Sequence, residues 1–159
     1  MNYELLTAQL QSFAEADSWY VPLMANVAAM LYDALADVNW VGFYLMRGDR
    51  LVLGPFQGKV ACIHIPMGKG VCGTAALRDE TQLVPDVRAF PGHIACDSAS
   101  NSEIVVPIHR DGALNDLHRG AVVAVLDIDS PIPNRFSEAD RVGLEALVKA
   151  LEAHIDLDA

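Results

Sequence analysis

Apolar residues repeat at helical spacing near both ends of the chain. Two N-terminal stretches space large apolar residues three or four positions apart, the second behind Pro22, and each predicts a helix. A third stretch follows Ser137, which with Asp140 resembles a capping box with a shortened acidic residue. The repeating positions are Leu6, Leu10 and Phe13, then Leu23, Val27, Met30, Leu31 and Leu35, and finally Leu144, Leu147, Val148, Leu151 and Ile155. The chain is therefore predicted to begin and end in amphipathic helices.

Runs of aromatic and β-branched residues predict strands between these helices. The predicted strands cover residues 40–46, 50–56, 60–66, 81–84, 103–109 and 121–129. A turn at Gly48 and Asp49 joins the first two into an antiparallel hairpin, and the polar segment 110–120 joins the last two. In the third strand, Cys62 and His64 are predicted to share one face. This order of elements predicts an α+β fold with a central, mainly antiparallel sheet.

Two segments rich in turn residues interrupt the strands. Gly68 and Gly70 open a short helix through Leu77, which places Cys72 in its first turn. Residues 85–102 combine prolines, a glycine and the polar run DSASNS without a sustained period, and are predicted to form a long functional loop. The terminal helices are expected on one face of the sheet, and pocket-forming loops on the other.

Length and charge narrow the classes of protein to which the chain could belong. Its 159 residues, 52% of them hydrophobic, suit a single domain spanning residues 1–159. The net charge of -10 repels phosphate backbones and anionic lipids, so nucleic acid and membrane surfaces are unexpected partners. The N-terminus lacks the regions of a secretory signal, and no uncharged run reaches the ~20 residues of a membrane span. A cytoplasmic location is therefore expected.

Three cysteines, Cys62, Cys72 and Cys96, lie within one 35-residue stretch. Because three is an odd number, at least one thiol must stay unpaired. Thiols in a cytosolic protein are more often reactive or metal-binding than structural, although a free cysteine is commonly a small buried apolar residue. The helix start at Cys72 could lower the pKa of its thiol or hold a carboxylate. We expect the chemistry of the protein in this stretch.

Two other motifs in the same stretch give weaker signals. The glycines of GKGVCG (68–73) match the dinucleotide pattern G-x-G-x-x-G, but a parallel βαβ setting is missing, which favours a tight strand-to-helix turn. The three cysteines with His64 and His93 could form a zinc site. No C-x-x-C or H-x-x-x-H pair supports such a site, so neither a metal nor a cofactor is expected.

Four segments of the chain carry a resemblance to one known family. They are DVNWVGFYL (37–45), LGPFQGKVACIHIPMGKGVCGTA (53–75), GHIACDSASNSEIVVP (92–107) and VLDIDS (125–130). These segments resemble the free methionine-(R)-sulfoxide reductases, which are single GAF domains, and they include all three cysteines in the family's spacing. The resemblance implies a GAF fold and the reduction of free L-methionine (R)-S-oxide to methionine, with thioredoxin as the reductant.

The cysteines also suit the chemistry of this reaction. Sulfoxide reduction requires a soft nucleophile at sulfur and a proton for the departing oxygen, and a cysteine thiolate with a carboxylic acid supplies both. The nucleophile becomes a sulfenic acid, which a second cysteine converts into a disulfide that an external dithiol reduces. The resemblance implies that Cys96 is the nucleophile, Cys62 the main resolving cysteine and Cys72 a secondary one.

Three acidic residues, Glu103, Asp127 and Asp129, stand on the last two predicted strands, where Asp127 and Asp129 share a face. From the sequence alone we favour solvated strand ends, because most acidic side chains are exposed. The resemblance reverses this preference. It implies that the three acids bind the substrate's ammonium group and polarise the sulfoxide, with Glu103 as the candidate proton donor.

Trp40 and Tyr44 are four residues apart on a strand and so share a face. Packing in the core is the simpler interpretation of both, whereas the resemblance makes Trp40 a wall for the substrate's terminal methyl group. Backbone N–H groups around Ile94, Ala95 and Cys96 are candidate ligands for the substrate carboxylate. A noncatalytic GAF module that binds a small molecule or senses redox state is the alternative function. The sequence leaves open whether the chain forms a homodimer.

Overall fold

The computed structural model describes residues 1–93, 99–110 and 121–157. Within them, four α-helices and six strands follow the order that the sequence predicts, and a short 3₁₀ helix spans Val87–Ala89. The helices are α1 (Tyr3–Ala16), α2 (Tyr20–Ala34), α3 (Gly70–Arg78) and α4 (Glu138–His154), and the strands are β1 (Trp40–Arg47), β2 (Arg50–Gly58), β3 (His64–Pro66), β4 (Gln82–Val84), β5 (Ser102–His109) and β6 (Val122–Ser130). None of the helices in these ranges combines the length and hydrophobicity that crossing a membrane requires.

The six strands form one sheet in the order β3-β2-β1-β6-β5-β4, and every neighbouring pair is antiparallel. The terminal helices α1, α2 and α4 pack with one set of strand side chains in the larger apolar cluster. The short helix α3 packs with the other set in a second cluster. The predicted α+β fold, with the terminal helices on one face of an antiparallel sheet, is confirmed.

Alternation along β5 and β6 decides which side chains face each layer. Ile104, Val106 and Leu126 pack against the terminal helices, whereas Val105 and Val125 pack on the side of α3. The three acidic residues of these strands occupy positions in phase with the second set. The pleat of the sheet therefore carries all three acidic side chains to the face that α3 covers.

The third strand is shorter than predicted and does not contain Cys62. β3 begins at His64, so the expectation that these two residues share a strand face is wrong. Side chains of β1 bind the backbone of the preceding segment instead. Trp40 Nε1 donates to the carbonyl oxygen of Lys59 at 3.1 Å, and the Tyr44 hydroxyl donates to that of Cys62 at 2.9 Å. Because these carbonyls are bound by β1 side chains, the segment forms a loop over the sheet.

The glycine-rich turn before α3 is tight. Gly73 lies so close to the carbonyl oxygen of Pro66 that an added Cβ would come within 2.5 Å of it. The N–H of Gly68 donates to the carbonyl oxygen of Gly73 at 2.9 Å. Gly70 begins the helix at a φ of +63°, a backbone conformation that favours glycine. These contacts confirm the strand-to-helix turn, and the antiparallel sheet lacks the setting of a dinucleotide site.

Buried His109, the last residue of β5, links α3 to α4. Its ring Nδ1 lies 2.7 Å from Glu152 Oε2 on α4, and its Nε2 contacts Asp79 Oδ1. Asp79 ends α3 in a left-handed conformation. The imidazole ring therefore ties the end of the helix on one face of the sheet to a helix on the other.

His109→Ala should lower the free energy of unfolding by about 2 kcal/mol. The substitution removes both contacts of the ring and leaves the Glu152 carboxylate buried without this partner. Urea unfolding followed by circular dichroism measures the change. Glu145→Ala is a control on the same helix, because Glu145 pairs with Arg141 at the surface and its loss should cost at most about 0.5 kcal/mol. Equal effects of the two substitutions would contradict the role of His109.

Candidate functional site

A cavity lies between the acidic face of the sheet, α3 and the loop before β3. Its empty space amounts to about 570 Å³, part of which is open to solvent. Six of the site residues predicted from the sequence line it: Trp40 and Tyr44 from β1, Cys72 from α3, Glu103 from β5, and Asp127 and Asp129 from β6. The fold thus brings together side chains that are far apart in the sequence.

Glu103, Asp127 and Asp129 form an acidic cluster in this cavity. Glu103 lies directly opposite Asp129 in the β5–β6 register, and Asp127 follows two positions along β6. Side chains at opposite and diagonal positions on one sheet face are neighbours. Glu103 is 8% exposed and Asp127 is 5% exposed. The interpretation as solvated strand ends is therefore wrong for Glu103 and Asp127, whereas Asp129 is half-buried.

Burial favours the protonated form of two carboxyl groups in the acidic cluster, those of Glu103 and Asp127. Burial raises the pKa of Glu103 well above its usual value, and the charges of Asp127 and Asp129 raise it further. Burial also raises the pKa of Asp127, against hydrogen bonds from Glu103, Asp129 and Cys72 that lower it. Glu103 is the member of the cluster that the structure favours as the holder of a proton.

An oxygen atom of Asp127, within the acidic cluster, lacks a hydrogen bond to the described residues. The Oδ1 atom of Asp127 is buried and has no hydrogen-bond partner within the part of the chain that the structure describes. A buried polar oxygen without a partner costs free energy. The cavity therefore presents a site where a ligand that supplies positive charge or an N–H group would stabilise the protein.

Cys72 lies beside the acidic cluster in the first turn of α3. It carries a free thiol and is 4% exposed. Burial raises the pKa of this thiol well above its usual value, and the nearby charges, first that of Asp127, raise it further. The loss of water and the negative neighbours thus outweigh the helix start, and the expectation that the helix could lower this pKa is wrong. Cys72 is a protonated thiol at neutral pH.

Trp40 and Tyr44 form an aromatic wall of the cavity. Their rings stack at 5.9 Å between centroids, and the Trp40 ring also stacks with Phe56 at 5.2 Å. The prediction that Trp40 and Tyr44 share a face is confirmed. Gly42 lies between them, and an added Cβ there would lie 2.6 Å from the Trp40 ring and 2.3 Å from Phe56 Cβ. The sole sequence signal for this role of Gly42 is a glycine inside a strand, which often marks close packing.

Cys62 lies in the loop over the sheet at the edge of this aromatic wall. It is half-buried and disulfide-bonded. The hydrogen bond from Tyr44 to its carbonyl oxygen ties its loop to the wall. The remaining predicted site residues, Ile94, Ala95 and Cys96, lie outside the described residues, so their roles stay predictions.

Three further polar side chains line the cavity and were not among the predicted site residues: Lys69, His93 and Ser100. Lys69 precedes the first turn of α3 and brings a basic group to a cavity that holds three acids. Its signal in the sequence is a charged residue enclosed by two glycines of a tight turn. His93 and Ser100 lie within the loop 85–102 that the sequence predicts to be functional, and His93 was considered from the sequence only as a zinc ligand.

The zinc ligands considered from the sequence do not come together among the described residues. His64 is exposed at the start of β3. Within the described ranges, the close group of potential metal ligands consists of Cys72, Glu103 and Asp127 and contains no histidine. One donor atom from each of these three residues lies within 4.8 Å of the others.

The chain is similar to known proteins over nearly its whole length. The GAF domain family matches residues 24–156. A free methionine-R-sulfoxide reductase of Escherichia coli (strain K12) is 47% identical over 150 residues, which cover 94% of this chain and 86% of that protein. The structure of fRMsr of Staphylococcus aureus in complex with substrate has 49% identity and a TM-score of 0.87, covering 98% and 96% of the two chains. Free methionine-R-sulfoxide reductase from Neisseria meningitidis, also in complex with its substrate, has 44% identity and a TM-score of 0.86, covering 96% and 87%.

Proposed function

We propose a mechanism for this chain from the premise that it belongs to the free methionine-R-sulfoxide reductases, a GAF domain family of oxidoreductases. Its substrate is free L-methionine (R)-S-oxide, its product is methionine, and thioredoxin is the expected source of electrons. The observation that carries the proposal is the buried acidic cluster in one cavity with the aromatic wall.

The acidic cluster suits the ammonium group of a free amino acid. An ammonium group carries one positive charge and three N–H donors, which the carboxylate oxygens of Asp127 and Asp129 can accept. The buried Oδ1 of Asp127 would gain the partner that it lacks. A methionine sulfoxide inside a peptide has no free ammonium group. The cluster therefore favours the free amino acid over the residue in a protein chain.

The aromatic wall suits the other end of the substrate. The indole ring of Trp40 is fixed by its stacking on Phe56 and by the hydrogen bond from its Nε1 to Lys59. A fixed apolar surface can hold the terminal methyl group on one side of the sulfur atom. With the ammonium and the methyl group both held, the two epimers would present their sulfoxide oxygens in different directions. This arrangement supports selectivity for one epimer.

Reduction follows in three balanced steps. The Cys96 thiolate attacks the sulfoxide sulfur while Glu103 donates a proton to its oxygen. Transfer of the hydroxyl group to the cysteine sulfur releases methionine and leaves Cys96 as a sulfenic acid. The Cys62 thiol condenses with the sulfenic acid, which releases water and forms a disulfide. A dithiol such as thioredoxin then reduces this disulfide by thiol–disulfide exchange.

Two features of the described residues support this division of roles. Cys62 is disulfide-bonded and its loop is bound to the aromatic wall, whereas Cys72 carries a free, buried thiol. A resolving cysteine must enter a disulfide in every cycle. Glu103 has the strongly raised pKa that a proton donor at neutral pH requires. These features favour Cys62 over Cys72 as the resolving cysteine and Glu103 as the acid.

The test is an epimer-resolved assay. The protein is incubated with a dithiol and each epimer of free methionine sulfoxide, and methionine is quantified by chromatography. We expect consumption of the R epimer alone, and little consumption of N-acetylmethionine (R)-sulfoxide, which lacks the ammonium group. Equal consumption of both epimers, or of neither, would contradict the proposal and favour a noncatalytic GAF module.

Gly42→Ala should raise the KM for free methionine (R)-sulfoxide by about tenfold, equivalent to about 1.4 kcal/mol of binding free energy. The new methyl group displaces the Trp40 ring, because its contacts with the ring and with Phe56 are far below van der Waals separation. Steady-state kinetics and a thermal unfolding control measure the effect. Gly54→Ala in β2 is the matched control, since its Cβ would make a tight contact of 3.1 Å with the backbone oxygen of Phe43 but would not meet the Trp40 ring. An unchanged KM in Gly42→Ala would argue against the aromatic wall as a binding surface.

A further inference from the structure

We propose that Cys72, Glu103 and Asp127 form a binding site for a thiophilic divalent cation, specifically Zn²⁺. The three donor atoms lie within 4.8 Å of one another. They come from the first turn of α3, from β5 and from β6, so three separate elements hold them in place. Thiolate sulfur and carboxylate oxygen are both zinc ligands, and ligand atoms of both kinds are present here.

The geometry needs little adjustment to hold zinc. At zinc bond lengths of about 2.3 Å to sulfur and about 2.1 Å to oxygen, tetrahedral ligand atoms stand roughly 3.3–3.8 Å apart. A separation of at most 4.8 Å leaves about 1 Å to be closed by small side-chain rotations. Three protein ligands leave the fourth position to water from the cavity, which is the usual arrangement of an open zinc site.

A second observation on one of these ligands points to a cationic ligand at this place. Asp127 is 5% exposed and lines the cavity, yet its Oδ1 atom has no hydrogen-bond partner among residues 1–93, 99–110 and 121–157. A coordinate bond to a cation would satisfy this oxygen. The ion would also favour the ionised forms of the ligand carboxyl groups, and its binding would release their protons. The sulfur of Cys72 distinguishes the site from an oxygen-only site, which would suit Mg²⁺ or Ca²⁺.

The test is Zn²⁺ binding by calorimetry to a double variant, Cys62→Ser with Cys96→Ser, in which Cys72 is the sole thiol. We expect one Zn²⁺ per chain, no competition from millimolar Mg²⁺, and a thiolate-to-metal absorption band with Co²⁺. Adding Cys72→Ser or Asp127→Asn should weaken Zn²⁺ binding by more than about 100-fold, beyond the 10–100-fold typical of residues outside the ligand set. Circular dichroism confirms that each variant is folded.

Asp129→Asn is the matched control for the charge of the cluster. Asp129 hydrogen-bonds with Asp127 and Glu103 but is not one of the three proposed ligands, so its substitution should weaken Zn²⁺ binding by about tenfold, as is typical of a residue that only supports ligands. Absence of binding, binding that survives Cys72→Ser, or an equal loss in Asp129→Asn would each overturn the site. The readout uses no substrate, so its failure leaves the reductase proposal intact.

A second experiment measures competition between Zn²⁺ and free methionine, and its interpretation rests on the proposed function. The same carboxylates are proposed to bind the ammonium group, so millimolar methionine should raise the apparent Kd for Zn²⁺ in the double variant. Zn²⁺ binding that methionine does not affect would keep the metal site and count against the placement of the ammonium group.

Discussion

Cys62→Ser should give a protein that releases one methionine per chain and then stops. Formation of the Cys96 sulfenic acid needs no second thiol, so the first turnover proceeds. Without Cys62, the sulfenic acid cannot become the disulfide that thioredoxin reduces, and steady-state turnover is lost. Rapid-quench measurements with excess R epimer, and with thioredoxin as the sole reductant, follow methionine over time. We expect a burst of one methionine per chain and no further release. A sulfenic acid probe and mass spectrometry identify the trapped product.

Two other cysteine variants serve as controls for this experiment. Cys72→Ser should keep repeated turnover, because the Cys72 thiol is free and buried and its pKa is raised. Cys96→Ser should show neither the burst nor the sulfenic acid. Sustained turnover by Cys62→Ser with thioredoxin would contradict the resolving role, and a fully active Cys96→Ser variant would refute the nucleophile.

The elements of the fold could be predicted wherever local chemistry decides them. The apolar period of α4 and the capping box of Ser137 and Asp140 are short-range features, and both capping hydrogen bonds are present. Gly70 could be placed at a helix start because its backbone conformation is a local requirement. Alternation along β5 and β6 likewise showed that Asp127 and Asp129 share a face. Local periodicity and capping therefore account for most of the architecture.

The parts that the sequence predicted wrongly depend on contacts between distant segments. The loop at Cys62 has a strand-like sequence, but its carbonyl group is bound by the side chain of Tyr44, 18 residues away in the chain. The burial of Glu103 depends on α3, which crosses the sheet above it, and no local pattern reports such a cover. Gly42 matters only because the Trp40 ring lies across it. Single-residue preferences would have predicted the acidic residues at the surface. The resemblance to a known family instead predicted that they bind the substrate.

Glu103→Gln should slow the reduction of methionine (R)-sulfoxide by about 10²–10⁴-fold, the usual effect of losing a general acid. Glutamine keeps the shape of the side chain and can still donate a hydrogen bond, but it has no proton to transfer to the departing oxygen. Single-turnover kinetics at pH 7 measure the chemical step directly. Glu80→Gln, which changes an exposed glutamate just after α3, is the control and should keep the normal rate.

The same substitution should make the folded protein more stable at alkaline pH. The pKa of Glu103 in the folded protein is raised by burial and by Asp127 and Asp129, whereas in the unfolded chain it is about 4.3. Between these two values the folded state binds more protons than the unfolded state, so this group makes stability fall as pH rises. Glu103→Gln removes that contribution, and the gain in unfolding free energy over the wild type should grow from pH 5 to pH 8. Urea unfolding between pH 5 and pH 8 measures this gain. A variant that loses both activity and stability would show that Glu103 stabilises the fold instead of supplying the proton.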